Sequence, residues 1–235
     1  MKELLYNTAK RTGIDLSDIQ LEKFQIYYEL LIETNKVMNL TTITEEHDVV
    51  NKHFIDSITL ENYIKLNGGR VIDVGTGAGF PGIPLAIINS DVHFTLMDSL
   101  NKRVNFLNTV IEKCQLNNID TVHSRAEDLG HNDNYREKFD YCVSRAVANM
   151  SVLLEYCIPF IKTGGKFISY KSENAEDEVK HSASAQQKLG CKFVQTYSFK
   201  LPGTDISRRL YVFEKYRKLG KLYPRQAGKP RKNPL

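Results

Sequence analysis

Residues 71–82 read Val-Ile-Asp-Val-Gly-Thr-Gly-Ala-Gly-Phe-Pro-Gly, and they are the strongest indication of the fold class. The largely apolar residues 71–74 are typical of a buried strand, and they run directly into a glycine-rich turn. A helix should begin near Pro81, because proline suits the first helical turn. The glycines let a ligand approach the backbone, and the start of the helix presents unpaired N–H groups. A strand, turn and helix in this order hold a nucleotide-like cofactor in α/β proteins.

The same stretch fits two cofactor templates. Residues 77–82 match the dinucleotide pattern G-x-G-x-x-G, and residues 73–79 match the acid-x-G-x-G-x-G loop of S-adenosylmethionine-dependent methyltransferases. Asp98 ends the next apolar run, about 20 residues beyond the glycines, where an acid holds the ribose hydroxyls of either cofactor. The pattern predicts an adenosine-type cofactor and leaves NAD and S-adenosylmethionine open. A tight turn without any ligand is the remaining alternative.

The composition describes one ordinary domain of 235 residues, since 41% of the residues are hydrophobic. No apolar run is long enough to span a membrane, and the N-terminus lacks the apolar segment of a signal peptide. The four cysteines are scattered without a C-x-x-C pair, so neither a disulfide nor a metal site is expected. We therefore expect a cytoplasmic protein without a bound metal and, by default, a monomer.

Positive charge is concentrated at the C-terminus of the chain. The net charge is +4, and residues 215–235 contain no acid. The basic residues of this segment are Lys215, Arg217, Lys218, Lys221, Arg225, Lys229, Arg231 and Lys232. Prolines and glycines between them favour an extended tail over a helix. Such a tail suits phosphate contacts, so we expect it to bind nucleic acid, with a solubilising terminus as the alternative.

Secondary-structure patterns divide the chain into three parts. Residues 1–69 read as a helical cap, with Ser17 and Gln20 as a capping box and Thr44 as the cap of a second helix. Residues 70–216 alternate strands and helices, and residues 217–235 form the basic tail. Strands are predicted at 71–74, 93–98, 119–124, 139–144, 166–170, 192–199 and 209–215. Helices are predicted at 81–88, between a cap at Ser99 and a break at Asn117, at 149–161, and at 175–189.

This alternation predicts an α/β fold with a mainly parallel sheet and helices on both faces. A short connection joins the last two strands, which predicts an antiparallel hairpin at one edge of the sheet. That ending favours a seven-stranded, Rossmann-like class I methyltransferase fold over the six parallel strands of a dehydrogenase.

Seven sequence motifs together point to one family. They are Asn-Leu-Thr at 39–41, His-Phe-Ile-Asp-Ser at 53–57, the glycine loop at 73–82, Asp-Ser-Leu-Asn-Lys-Arg at 98–103, Ser-Arg-Ala-Glu at 124–127, Ser-Arg-Ala at 144–146 and Lys-Leu-Tyr-Pro-Arg at 221–225. With these motifs the chain resembles the bacterial small-subunit ribosomal RNA guanine-N7 methyltransferases, known also as glucose-inhibited division protein B. The motifs follow the order of that family and cover nearly the whole chain.

The resemblance implies S-adenosylmethionine as the cofactor and a guanine of 16S ribosomal RNA, naked or within the 30S subunit, as the methylated partner. It also implies a set of cofactor-binding residues at the strand ends. These are Gly75, Gly77, Gly79, Phe80, Asp98, Ser99, Leu100, Ala126, Glu127 and Arg145. Within this set, the resemblance implies that Ala126 and Glu127 flank the adenine. We expect the Glu127 carboxylate to accept from the adenine amino group, with a surface charge as the alternative.

Guanine N7 carries an exposed lone pair, so its methylation needs alignment and exclusion of water rather than a base. The sequence agrees, because Ser-Arg-Ala-Val at 144–147 follows the fourth strand where adenine-amino methyltransferases usually carry Asn/Asp-Pro-Pro-aromatic. No cysteine is placed to act as a nucleophile. Arg145 is the predicted catalytic residue, acting by positioning through paired donors. A surface ion pair with Glu127 or Asp128 is the alternative for Arg145.

The residues predicted to bind RNA are His53, Lys171, Lys221, Tyr223 and Arg225. His53 and Asp56 share one helix face at i, i+3, and a buried hydrogen-bonded pair is the alternative for them. Two other functions stay open for the chain as a whole. One is an NAD-dependent oxidoreductase, although a basic tail stands where a substrate domain is needed. The other is a non-catalytic module that binds ribosomal RNA. A module that had lost catalysis should have lost part of the glycine loop, whereas this loop is complete.

Overall fold

A computed structural model describes residues 1–145, 148–172 and 175–235. The strands in these residues are β1 (Arg70–Val74), β2 (His93–Asp98), β3 (Ile119–His123), β4 (Phe139–Ser144), β5 (Ile161–Ser172), β6 (Cys191–Lys200) and β7 (Ser207–Lys215). They form one sheet in the order β3-β2-β1-β4-β5-β7-β6. β7 is antiparallel to both of its neighbours, and the other neighbouring pairs are parallel. This order confirms the predicted class I methyltransferase fold. It excludes the alternative, a dehydrogenase sheet of six parallel strands.

The helices surround this sheet and precede it. In the described part of the chain they are α1 (Lys2–Arg11), α2 (Asp18–Asn35), α3 (Glu46–Val49), α4 (Asp56–Ile58), α5 (Gly82–Ile88), α6 (Asn101–Lys113), α7 (Ala126–Leu129), α8 (Met150–Cys157), α9 (Glu176–His181), α10 (Ala183–Leu189) and α11 (Lys229–Lys232). A π-helical turn at Val50–Ile55 joins α3 to α4, and 3₁₀ turns cover Thr59–Asn62 and Ile158–Phe160. None of these helices is long and apolar enough to cross a membrane.

The hydrophobic core lies on both faces of the sheet. Successive side chains of a strand point to opposite faces, so β1 contributes to both sides. Val71 belongs to a core cluster that contains residues of α1, α2, α5 and α6, whereas Ile72 and Val74 belong to a second cluster that contains residues of α8 and α10. The N-terminal helices therefore share a core with the sheet and close over one of its faces.

Local signals predict some helix starts and miss others. The capping box is present, because the Gln20 amide donates to Ser17 Oγ at 3.3 Å and the Ser17 amide donates to Gln20 Oε1 at 2.9 Å. The predicted cap at Thr44 is wrong, since α3 begins at Glu46 and no side chain caps it. The predicted cap at Ser99 is also wrong. α6 begins after Leu100, whose amide donates to Asp98 Oδ1 at 2.9 Å.

Two longer predictions also need correction. The helix predicted at 175–189 is interrupted at Ser182, which separates α9 from α10. The tail predicted to be extended folds back onto the body of the protein and contains α11. Its folding has a physical cause in the buried acid Glu155, which pairs with Arg225 at 2.6 Å. Residues 146–147, which belong to the Ser-Arg-Ala-Val motif, and residues 173–174 lie outside the described residues.

Candidate functional site

A cleft of about 1440 Å³ opens at the carboxyl ends of β1, β2, β3 and β4. This end of an open α/β sheet is where ligands bind. The predicted site residues that line the cleft are Gly75, Gly77, Phe80, Asp98, Ser99, Leu100, Ala126, Glu127, Arg145 and His53. The structure thus brings together almost the whole predicted cofactor set, and it adds His53 from the helical cap. Gly79 does not reach the cleft surface.

The glycine loop is held in shape by its own backbone. The amides of Gly75 and Thr76 donate to the Met97 carbonyl of β2 at 2.9 and 3.1 Å. The amides of Gly79 and Phe80 both donate to the Thr76 carbonyl at 3.0 Å. The protein itself therefore fixes the loop, because four of its amides already have partners within the chain.

Asp73 lies buried beneath this loop. Its Oδ2 accepts from the Thr76 hydroxyl at 2.7 Å and from the Gly82 amide at 2.9 Å. Burial raises the pKa of the Asp73 carboxyl to about 7, and the two hydrogen bonds only partly oppose that rise. Asp73 is thus a structural brace that ties the glycine loop to the first turn of α5.

The start of α5 has no amide left for a phosphate. Pro81 and Pro84 carry no N–H group, the Gly82 amide is bound to Asp73, and the Ile83 amide donates to the Gly79 carbonyl at 2.8 Å. A dinucleotide needs free amides at this position for its pyrophosphate. The geometry therefore disfavours NAD and favours a cofactor without a pyrophosphate.

The glycines of the loop serve two different purposes. A Cβ added to Gly79 would lie 2.7 Å from the Tyr27 hydroxyl and 2.6 Å from Ile83, and one added to Gly82 would overlap Leu96. Gly77 and Gly79 both have a positive φ, of +64° and +103°, but at Gly77 no heavy atom beyond its chain neighbours lies within 4 Å of the Cβ position. Gly79 and Gly82 are therefore required by packing, whereas Gly77 leaves open space at the cleft for a ligand.

Tyr27 of α2 is a site residue that the sequence does not reveal. Its hydroxyl donates to the Ala78 carbonyl of the glycine loop at 2.5 Å, and its ring stacks on Phe80 at 5.3 Å. Burial raises the pKa of Tyr27 well above its usual value, so the phenol remains a donor. Tyr27 and Ala78 are 51 positions apart, and nothing in the sequence around either residue indicates this contact.

Asp98 stands at the end of β2 and faces the cleft. Its Oδ2 accepts from the Gly77 amide at 2.9 Å and lies 3.4 Å from Arg103 Nη1, while Oδ1 accepts from the Leu100 amide. The side chain is only 4% exposed. The carboxylate is therefore locked at the cleft wall beside Gly77, and a carboxylate oxygen has two lone pairs, so Oδ1 can accept a second hydrogen bond.

Arg145 follows β4 and is held by the helical cap. Its Nη1 donates to the Lys52 carbonyl at 2.9 Å and to Asp56 Oδ2 at 3.0 Å, and its Nη2 lies 3.0 Å from His53 Nδ1. Its guanidinium also lies over the Phe80 ring, 5.0 Å from the centroid. The structure gives Arg145 a partner in Asp56, a side chain 2% exposed, rather than in Glu127 or Asp128. Arg145 is therefore fixed in one orientation at the cleft.

His53 is the neutral member of this cluster. A guanidinium can only donate, so Nδ1 of His53 accepts from Arg145 and its proton sits on Nε2, which donates to Thr41 Oγ1 at 2.9 Å. Burial and the charge of Arg145 lower the pKa of His53 to about 3. The ring stacks on Phe80 at 4.3 Å. His53 therefore neither carries charge near neutral pH nor has a free nitrogen for RNA.

Glu127 lies at the other end of the cleft, at the start of α7. It is buried, and its Oε1 accepts from the Gly228 amide of the C-terminal tail at 3.0 Å. Burial raises the pKa of Tyr156, and the nearby charge of Glu127 raises it further while that of Arg231 opposes the rise. Gly228, Tyr156 and Arg231 also line the cleft. The tail thus reaches the cleft beside the residue predicted to contact adenine.

The remaining residues predicted to bind RNA lie away from the cleft. Lys171 pairs with Glu178 at 2.8 Å and also donates to the Ala148 carbonyl. Arg225 makes a two-pronged ion pair with Glu155, and the Tyr223 carbonyl accepts from Arg136 at 2.9 Å. Lys221 is exposed. A role in RNA binding stays a prediction for all four residues. The guanidinium of Arg225 is already paired with Glu155.

The described residues contain no group of three or more His, Cys, Asp or Glu side chains that could hold a metal ion. The four cysteines are buried. Burial raises the pKa of Cys114 to about 11 and that of Cys191 to about 12, which suppresses the thiolate in both.

The sheet order, the glycine loop and the acid at the end of β2 define a class I methyltransferase. Solved structures share this fold. A SAM-dependent methyltransferase from Aquifex aeolicus aligns with a TM-score of 0.55 at 15% identity, over 72% of this chain and 94% of that chain. M. jannaschii TYW2, crystallised in complex with AdoMet, aligns with a TM-score of 0.54 at 17% identity, over 69% and 76%.

Sequence comparison then identifies the family. Residues 20–209 match the model of GidB, described as rRNA small subunit methyltransferase G. Ribosomal RNA small subunit methyltransferase G of Acetivibrio thermocellus is 48% identical over 235 residues, which cover 100% of this chain and 97% of that protein. The protein of the same name from Lachnoclostridium phytofermentans is 50% identical over 224 residues, 95% of this chain and 93% of its own length. The chain therefore belongs to the GidB family of small-subunit ribosomal RNA methyltransferases, which confirms the resemblance.

Proposed function

We propose that this protein transfers a methyl group from S-adenosylmethionine to N7 of a guanine in 16S ribosomal RNA, without a covalent intermediate. The observation that carries the proposal is the glycine loop, which leaves space at Gly77 beside Asp98 but no free amide at the start of α5. Family membership supports ribosomal RNA as the substrate, and N7 rests on the motifs shared with the family. Because ribosomal RNA is the proposed substrate, we also propose that the protein is cytoplasmic.

The residues of the cleft fit this cofactor. When bound, S-adenosylmethionine supplies an electrophilic sulfonium methyl group. Asp98 is suited to accept hydrogen bonds from ribose hydroxyls, and Glu127 from an adenine amino group, because ionised carboxylates are acceptors only. The cleft of about 1440 Å³ exceeds the roughly 300–1,000 Å³ of an ordinary small-molecule site. The additional space suits a second ligand, here a base turned out of the RNA.

Arg145 contributes to methyl transfer by orienting the ligands in the cleft. Three acceptors and the Phe80 ring hold its guanidinium, so it presents a fixed positive charge to the cleft. A neutral His53 beside it cannot act as a strong base, and N7 needs none because its lone pair is free. The buried ring of Phe80 forms an apolar floor that keeps water away.

Transfer of radiolabelled methyl groups tests the proposal. Small ribosomal subunits, 16S RNA stripped of protein, and large subunits would each be incubated with labelled S-adenosylmethionine and the protein. The subunits would come from cells that lack the protein. The proposal expects label in one N7-methylguanosine of the small-subunit RNA. Label on another atom or nucleotide would retain the enzyme class and refute the target, and cofactor binding without transfer would favour the non-catalytic module.

A further inference from the structure

The C-terminal segment 219–235 is tied to the body by bonds that a free arm would lack. Arg136, in the loop before β4, donates to the carbonyls of Leu219 at 2.9 Å, Gly220 at 3.0 Å and Tyr223 at 2.9 Å. His131 Nε2 lies 2.7 Å from the Pro224 carbonyl. One guanidinium thus binds three carbonyls of the segment, which fixes its path over the protein surface.

A buried ion pair anchors the same segment. Glu155 of α8 has a side chain that is 0% exposed, and Arg225 donates to it from Nε and Nη2 at distances of 2.6–3.1 Å. The Arg225 amide donates to the same carboxylate at 2.8 Å. A fully buried carboxylate needs such a partner, because an uncompensated buried charge is strongly destabilising. The segment and α8 therefore require each other.

From this anchor the segment runs to the cleft. Three residues beyond Arg225, the Gly228 amide donates to Glu127 Oε1. Pro230 is buried, and Arg231 lines the cleft together with Tyr156. The folded segment thus touches the side chain that, under the proposed function, accepts from the adenine amino group.

We infer that the segment 219–235 is a wall of the cofactor site, and that its Gly228 amide positions Glu127 to select an adenine. This inference rests on the proposed cofactor. Glu127 has a carboxylate at the end of a flexible side chain, and a hydrogen bond to one oxygen restricts its orientation. A carboxylate fixed in this way accepts from the 6-amino group of adenine and repels the 6-oxo group of hypoxanthine.

Binding of two ligands to the full-length protein, measured by isothermal titration calorimetry, tests the inference. The ligands are S-adenosylhomocysteine and S-inosylhomocysteine, which has oxygen in place of the amino group. Arg225→Lys retains a positive charge but lacks the two-pronged donor set. We expect it to weaken binding of the adenosyl ligand about tenfold and to bring the two affinities closer together. Lys218→Ala, at an exposed position just before the segment that does not line the cleft, is the matched control and should change neither affinity.

A second variant allows the inference to be tested even if Arg225→Lys does not fold. Arg231→Ala removes an exposed side chain that lines the cleft, and it should reduce the preference for the adenosyl ligand about threefold. Unchanged affinities in both folded variants would overturn the inference. So would an increased KM for ribosomal subunits at unchanged cofactor affinity, which would make the segment an RNA-binding arm. Failure of the wild-type protein to bind either ligand would instead overturn the proposed function.

Discussion

Removal of one hydroxyl group from α2 should loosen the glycine loop. Tyr27→Phe keeps the ring that stacks on Phe80 and deletes the donor to the Ala78 carbonyl. Tyr27 is 0% exposed, so no water can replace the lost donor without rearrangement. An unsatisfied buried carbonyl costs about 1–3 kcal/mol. For a chain of this length, about 2 kcal/mol lowers Tm by roughly 4–8 °C.

Calorimetric unfolding and cofactor titration would measure the two effects of Tyr27→Phe separately. Because the loop is tethered at Ala78, cofactor affinity should also fall, by about threefold to tenfold. The matched control is Tyr28→Phe, a half-exposed neighbour on the same helix whose loss should change neither quantity. If Tyr27→Phe and Tyr28→Phe unfold and bind alike, the hydroxyl does not brace the loop, and the account of how the helical cap supports the site is refuted.

Three further variants test separate parts of the site. Gly77→Ala should cost only about 1 kcal/mol of stability, from its positive φ, but abolish measurable cofactor binding. Gly79→Ala should cost at least about 2 kcal/mol, because its Cβ would add close contacts with Tyr27 and Ile83 to the cost of a positive φ. Denaturation measures the stability of each variant, and titration calorimetry measures its affinity for the cofactor. Arg145→Lys keeps the charge but not the three-acceptor geometry, so kcat should fall about 100-fold in methyl-transfer assays; an unchanged kcat would contradict the positioning role. Burial lowers the folded-state pKa of His53 to about 3, so the folded protein binds fewer protons than the unfolded chain below the ordinary pKa of 6.5. The stability difference between wild type and His53→Gln should therefore shrink by about 2 kcal/mol from about pH 7.5 down to pH 5 in urea titrations, and a difference independent of pH would show that His53 is not buried and neutral.

Strands and loop chemistry could be predicted because their signals are local. The predicted bounds of the second and fourth strands are those of β2 and β4. The spacing from the glycines to Asp98 likewise placed an acid at the carboxyl end of β2, beside the Gly77 amide. Both patterns depend on residues adjacent in the chain or on neighbouring strands, where the periodicity and the turn chemistry are specific.

Contacts between segments distant in the chain could not be predicted, because they have no local sequence pattern. Asp56 and Arg145 are 89 positions apart, and nothing in the sequence around either indicates the other. Glu155 does give a usable signal, because it is an acid within the apolar helix Met-Ser-Val-Leu-Leu-Glu-Tyr-Cys and its burial demands a cation. The basic tail, which has no acid of its own, supplies that cation in Arg225. A lone acid in an apolar helix and an acid-free basic tail could together have predicted docking in place of an extended arm.

Nucleoside mass spectrometry of 16S ribosomal RNA shows whether this protein methylates N7 of a guanine in cells. RNA would be compared from cells lacking this protein and from the same cells expressing either the wild-type chain or Gly77→Ala. We expect one N7-methylguanosine to be absent without the protein, to return with the wild-type chain and to stay absent with Gly77→Ala. An N7-methylguanosine content that is the same in all three RNAs would contradict this expectation.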